Sequence, residues 1–384
     1  MKSEKLQDAI GEVKDSFIQD ADITAPKNRR VWRKWAAAAA CLCLIAGGVA
    51  WLVRSGGKPS AELLPKITVP AYVSGGGYFE GLMYYSADEL QNGNPWQEDA
   101  GLKTLPVYRN GCYDPAGTGK PYGLSEAEMT EKLTKAAQAL GISIDKIERE
   151  TDISNETLFG IRTLFNGGTL SVSADGSVTC IWSPGRALPE NCHFTHTDTS
   201  QEEAEAVLGY LAETYASLLD FDRPEAVSWG DYSFDGEFSR SYHVYDAAPD
   251  LTEKILNYWF RCAQFAPDDE GSLMLIRLYD GLAKAEKLGD YPLISVAEAR
   301  EKLLNGQYQT SVPEAMPGEK FIAKAELVYR TGASEETLLP YYRFYVELED
   351  MARENGLKTF GAYYIPAVKD EYIEGIATYD GRFN

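Results

Sequence analysis

Cys192, His193 and His196 are the one close grouping of metal-ligand residue types in the chain. Metal ligation needs three or four convergent, deprotonated donors. These three fall in a predicted loop between a strand and a helix, and Cys180 would complete the set only by leaving an apolar strand face. They read as polar loop residues. Nucleophile chemistry finds as little support. No Ser or Cys sits in a recognisable nucleophile elbow, and Cys180 and Cys262 lie on apolar faces, as small buried hydrophobes do. Export would permit disulfides among Cys112, Cys180, Cys192 and Cys262, with Cys180 and Cys192 the pair nearest in sequence. His243, in a predicted strand near Tyr242 and Tyr245, has the chemistry of a general base or pH sensor, but a partly exposed strand histidine accounts for it as well. Asp268, Asp269 and Glu270 lack calcium-loop spacing and read as a solvated turn. No catalytic, cofactor-binding or metal residue is assigned, no cofactor is implied, and no enzymatic activity is expected.

Aromatic residues are the stronger candidates. Tyr341, Tyr345 and Tyr363 fall on predicted strand faces opposite the apolar ones. Exposed tyrosines enrich interfaces because they bury area while keeping a polar tip. Two readings follow: a partner-binding face, or a second face covered by the preceding domain.

The chain has 384 residues, 44% of them apolar and 25% charged, which suits two or three globular units and excludes wholesale disorder. Its net charge of −21 argues against a nucleic-acid partner. Residues 35–53 hold no charge and, as a helix, would span about 28 Å at about 1.5 Å per residue, close to a hydrocarbon core of about 30 Å. Trp35 and Trp51 lie near its ends, at headgroup level. Lys27, Arg29, Arg30, Arg33 and Lys34 precede it, so the positive-inside bias predicts a cytoplasmic N-terminus and an exported remainder. A cleaved signal peptide or a lipidated Cys41 or Cys43 fits those flanks less well.

Before the span, Leu6, Ile10, Val13 and Phe17 recur on one helical stripe. A lone helix cannot bury such a stripe in water. Residues 1–26 read as a helix that docks a cytoplasmic regulatory protein by helix-in-groove recognition, against the alternative of a weakly folded tail lying on the membrane surface, which their acidic balance disfavours. The opening MKSEKLQDAIGEVKDSFIQDAD, then RRVWRKW and the Ala-rich run, resembles membrane-tethered proteins of clostridial Firmicutes, some of them anti-sigma-factor-like. That resemblance covers about 55 residues and implies a sigma factor or sensor kinase as the regulator. A zinc-type anti-sigma domain is excluded, because residues 1–34 hold neither His nor Cys.

After a Pro- and Gly-rich lead-in, four motifs open amphipathic segments: Ser125-x-x-Glu128, Ser200-x-x-Glu203, Asp250-x-x-Glu253 and Ser295-x-x-Glu298. The third predicted helix carries Ile255, Trp259 and Cys262 in register. Asp175-Gly176 and Asp235-Gly236 mark hairpin turns. Three strands close the chain over residues 321–330, 339–349 and 360–368, with Lys324, Glu326, Arg330, Arg343 and Glu347 facing away from the apolar residues. The predicted fold class is α+β: one N-terminal transmembrane helix, then exported units of helices packed on antiparallel sheets. The predicted boundaries are 1–34 (cytoplasmic tail), 35–53 (transmembrane helix), 54–124 (linker and lead-in), 125–290 (exported domain) and 291–384 (C-terminal module).

Within the last unit, Tyr291-Pro292-Leu293-Ile294-Ser295, Glu298-Ala299, Leu327-Val328-Tyr329 and Leu339-Pro340-Tyr341-Tyr342-Arg343-Phe344 resemble the exported module of YycH/YycI-type auxiliary proteins of Gram-positive two-component systems. A looser likeness is to PepSY-like domains. The resemblance implies an extracytoplasmic interaction or inhibitory module without chemistry of its own. Together these features predict a single-pass membrane signalling or regulatory protein whose exported region senses an exported protein or wall-associated ligand. The alternatives are a tethered binding or inhibitory module with no signalling role, and an exported hydrolase whose site the fold would have to assemble.

Overall fold

The computed structural model describes residues 64–69, 81–86, 90, 92–113, 123–151, 158–332, 335–351, 355–375 and 378–383. The expected tail stripe and the expected span over 35–53 lie outside these residues. Among the described residues no helix is long and apolar enough to cross a membrane.

In chain order, β1 (Ile67–Thr68), β2 (Met83–Tyr85) and β3 (Thr104–Arg109) precede helix α1 (Glu126–Leu140). Strands β4 (Glu148–Thr151), β5 (Leu158–Phe165), β6 (Gly168–Ser173) and β7 (Val178–Arg186) follow, then α2 (Gln201–Thr214) and the single turn α3 (Ala216–Leu219). The hairpin of β8 (Pro224–Tyr232) and β9 (Phe238–Asp246) leads into α4 (Leu251–Phe260), β10 (Cys262–Pro267), β11 (Leu273–Leu278) and β12 (Glu286–Pro292). After α5 (Val296–Leu304) come β13 (Gln309–Thr310), β14 (Ile322–Tyr329), β15 (Thr337–Leu338), β16 (Pro340–Glu347), β17 (Lys358–Pro366) and β18 (Ile373–Glu374).

The helices start where their caps place them. Ser125, Ser200 and Ser295 each accept a hydrogen bond from the backbone N–H three residues on, and the glutamate there reaches back to the cap N–H. Asp250 caps the Glu253 N–H at 3.0 Å without the reciprocal bond. Gly141 ends α1 in the left-handed region at φ 67°, where a Cβ would be strained. The expected helical register of Cys262 is corrected: α4 stops at Phe260, and Cys262 opens β10 by pairing with Tyr245.

The predicted α+β class of separate units does not hold. Among the described residues strand occupies 38% against 21% helix, and thirteen strands form one large sheet. Its order is β14-β16-β17-β2-β8-β9-β10-β11-β7-β6-β5-β4, with β13 on β17, and its pairings are antiparallel. The sheet takes strands from both sides of the expected boundary at 290, and residues of the expected lead-in enter it as β2. That strand pairs Phe360 with Met83 on one side and Tyr232 with Tyr84 on the other. Sequence patterning reports which face of a strand is apolar but not which distant strand completes its ladder, which is why units that look separate fuse.

Helices α1 and α2 cover one face of the half containing β5–β7 and β9–β11, through Leu133, Val207, Leu208 and Leu211 against Ile161, Leu170, Val244 and Phe265. The half containing β14, β16 and β17 is covered twice. Ala299 and Leu303 of α5 pack on Phe344, Tyr363 and Ile365. The opposite face carries Val107 of β3, Tyr291 of β12 and the parallel pair β1–β18 against Val328, Tyr341 and Tyr364. Two-sided cover explains why Glu326 and Arg343, expected at solvent, are 2% and 7% exposed. They face each other across β14 and β16, with Arg343 Nη2 3.2 Å from Glu326 Oε1. Burial raises the Glu326 pKa, but Arg343, Lys324 and Asn92 outweigh it and hold the carboxyl ionised, below the usual carboxylate range.

Two stability outcomes follow. Ser200→Ala should lower the unfolding free energy by about 1 kcal/mol in chemical denaturation. Arg343→Met strands Glu326 inside the protein and should cost about 3 kcal/mol. Pairing it with Glu326→Met should recover most of that loss, and a double variant as unstable as the single one would refute the pairing.

Candidate functional site

The β8–β9 hairpin turns at Asp235-Gly236, with Gly236 at φ 84°. Alternation along β9 sends Tyr242 and Val244 into the core beneath α2 and leaves His243 and Tyr245 on the other face. Val227 pairs with His243 and Trp229 with Ser241, so Trp229 and His243 are diagonal neighbours on that face. Their rings stack at 4.5 Å between centroids and 17° between planes. From α4, whose Ile255 and Phe260 are buried, Tyr258 and Trp259 reach the same region. Tyr245 and Tyr258 meet edge to face at 5.4 Å, as do Tyr258 and Trp259 at 5.1 Å. Tyr258 donates to the Asn92 carbonyl at 2.6 Å, which ties the 92–94 segment to the helix. Residues 81–85, with Arg343 and Tyr345 from β16, line the rest of a pocket of about 530 Å³. That is within the size of a small-ligand site.

The cations at and beside the pocket are paired. Arg343 lies over the Tyr345 ring at 4.9 Å and pairs with Glu326. Lys254 lies over Tyr245 at 5.8 Å and pairs with Glu225 at 2.9 Å, while the Tyr245 hydroxyl donates to the same carboxylate at 2.7 Å. Burial pushes the Tyr245, Tyr258 and Tyr345 hydroxyls up and raises the Cys262 thiol to about 12, which keeps that sulfur a protonated, inert group. Burial likewise lowers His243 to about 4, so the imidazole is neutral near pH 7. Neutral imidazole offers one donor and one acceptor, and no hydrogen bond to a described residue uses either. The buried Trp259 indole N–H also has no acceptor among the described residues. Burial raises the pKa of Asp231, at the rim.

Comparison with known protein families, characterised proteins and solved structures gives no match. The function is argued from the site.

The structure places the sequence candidates differently from the pocket residues. Tyr341, Tyr345 and Tyr363 are 1%, 4% and 0% exposed, so they form no open partner-binding face. The covered-face reading is the one that fits. Tyr363, moreover, pairs with Phe344 and shares the apolar face rather than opposing it. Of the three, only Tyr345 reaches the pocket. Leu6, Ile10, Val13 and Phe17 lie outside the described residues. Cys192 is half-buried and His193 and His196 are exposed, and among the described residues no group of three His, Cys, Asp or Glu could hold a metal. Cys112, Cys180, Cys192 and Cys262 are unbridged. Asp268 caps its own turn, accepting from the Glu270 and Ser272 N–H groups. A second cavity of about 740 Å³ beside α1 has Lys132 paired with Asp280, Lys135 with Glu131 and Arg261 with Asp246, so its cations are spoken for.

Sequence reasoning missed Trp229, Tyr258 and Trp259. The available signal was the row of aromatic residues at Trp229, His243 and Tyr245 on the hairpin face away from the core, where polar residues are the rule.

His243 sets a pH outcome. Its folded pKa lies below its unfolded value of 6.5, so the unfolded chain binds more protons between pH 6.5 and about 4. The stability this group contributes is full above pH 6.5 and declines through that window, by up to about 3 kcal/mol. His243→Gln should flatten the decline in denaturation measured at pH 7, 5.5 and 4.5. Parallel curves for the two proteins would contradict it.

Proposed function

We propose that this chain is a non-enzymatic, single-pass membrane signalling or regulatory protein whose folded region binds a ligand and whose N-terminal segment docks a cytoplasmic regulator. The observation that carries the binding part is the aromatic pocket: rings from β8, β9, α4 and β16 converge on a space lined by a neutral imidazole that bonds no described residue. Such a lining recognises and orients rather than reacts, since its thiol is held protonated and its tyrosine hydroxyls are pushed up.

The tether and the tail rest on sequence. The charge-free run over 35–53, flanked by five basic residues, supports insertion with residues 1–34 inside the cell. The stripe of Leu6, Ile10, Val13 and Phe17 supports helix-in-groove docking. The likeness to anti-sigma-factor-like tails and to exported two-component auxiliary modules agrees with both.

Cross-linking of the full chain in its native membrane, beside a form lacking residues 1–26, tests the reading. A cytoplasmic regulator captured by the full chain alone is the expected result, and Leu6→Asp or Val13→Asp should abolish capture without affecting membrane insertion. Equal capture by the variants would leave a tethered binding module with the tail as an insertion signal only.

A further inference from the structure

We propose that the pocket between β8, β9, α4 and β16 takes a small organic cation, an alkylammonium group seated between the Trp229 ring and the Asp231 carboxylate. This rests on the binding role given above and adds the chemical class of the ligand.

Two of the described residues lining the pocket carry charge, Arg343 and Asp231. Arg343 is paired with Glu326, which also takes Lys324 at 3.5 Å. Asp231 has no ion pair among the described residues, and no neighbouring charge moves its pKa. Arg240, the one cation of the β8–β9 hairpin, stands opposite Gly230 and so on the other face, bonded to Gln201 and Ser228. An anion would therefore meet an uncompensated carboxylate, and a neutral ligand would strip water from it without replacement. A ligand cation supplies the missing charge. Asp231 is exposed at the rim, within a ligand's reach, yet enough protein surrounds it to raise its pKa, so its charged form gains from a counter-ion there.

The strand register supplies the aromatic half. Val227, Trp229 and Asp231 follow one another on one face of β8, about 7 Å apart at about 3.4 Å per residue. His243 lies opposite Val227 and stacks on the indole, so it approaches Trp229 from the Val227 side. Asp231 is on the other side. Ser241 and Ser239 stand opposite Trp229 and Asp231, and such small residues leave room over the second indole face. A cation there has the ring's π density beneath it and a carboxylate beside it. The Tyr245 and Tyr345 rings, by contrast, already face Lys254 and Arg343. The net charge of −21 draws cations toward the protein in the first place.

Titration calorimetry at pH 7 on the full-length protein in maltoside micelles, which carry no ammonium group, tests this with choline as the probe. 3,3-Dimethyl-1-butanol has the same shape without the charge, and 3,3-dimethylbutanoate reverses the charge. Choline should bind about fivefold or more tighter than either. Asp231→Asn should weaken choline by about threefold or more, leave the alcohol's affinity as it was and keep the thermal midpoint, which separates a lost charge from a lost fold. Trp229→Leu should weaken choline by a similar factor. Glycerophosphocholine, whose phosphate would meet the charge of Asp231, should bind more weakly than choline; tighter binding would give the pocket to a lipid headgroup and overturn the free amine. Equal or tighter binding of the alcohol or the carboxylate overturns the cation, as does a choline affinity unchanged in Asp231→Asn. Absence of choline binding overturns it too, and in that case continued capture of a regulator through residues 1–26 keeps the regulatory reading standing. Loss of both overturns the two together.

Discussion

Strand β2 must be paired on both edges, and the rest of the structure depends on that. Three residues, Met83 to Tyr85, lie between β17 and β8 and join what would otherwise be two sheets. Without β2, each half would present an unpaired edge, a template for further strands. With it, residues of β16 line one pocket with residues of β8, β9 and α4. The pocket sits at this seam: residues 81–85 form one wall, and Arg343 and Tyr345 meet Trp229 and His243 across it. The site is a by-product of joining two sheets, which is why no single stretch of sequence contains it.

Tyrosine is the residue that makes the doubly covered half possible. A strand buried on both faces needs large side chains, and the loops passing over it need donors for their carbonyls. Tyr329 donates to the Pro106 carbonyl at 2.8 Å, Tyr342 to Ile294 at 2.8 Å, Tyr363 to Glu314 at 2.7 Å and Tyr291 to Pro65 at 2.8 Å. Each ring fills the core while its hydroxyl pins a neighbouring segment, so packing and loop position are fixed by the same side chain. The same economy makes such tyrosines look, in sequence, like interface residues.

Local chemistry was legible in the sequence, and non-local chemistry was not. Ser125, Ser200 and Ser295 announce their helices because a cap and its partner lie three residues apart, and Asp175-Gly176 and Asp235-Gly236 announce hairpins for the same reason. Strand 322–329 was also readable, but its surroundings were not. Glu326 alternates with apolar neighbours as a solvent-facing residue would, and the arrival of Arg343 on the adjacent strand, with Lys324 and Asn92, makes its burial tolerable. The pocket lay further out of reach. His243, Tyr258 and Tyr345 meet through strand pairings and a helix crossing that periodicity does not encode.

The seam also imposes an order of assembly. Strands β4 to β11 are built largely from neighbours in sequence, through the β5–β6–β7 meander and the β8–β9 hairpin, so their loops close early. Met83 finds Phe360, and Ile67 finds Ile373, only across nearly the whole folded chain. During synthesis the leading strands therefore wait, unpaired, until the last strands emerge. Both ends of the folded region close around the central meander, and the pocket at the seam is among the last parts of the molecule to be completed.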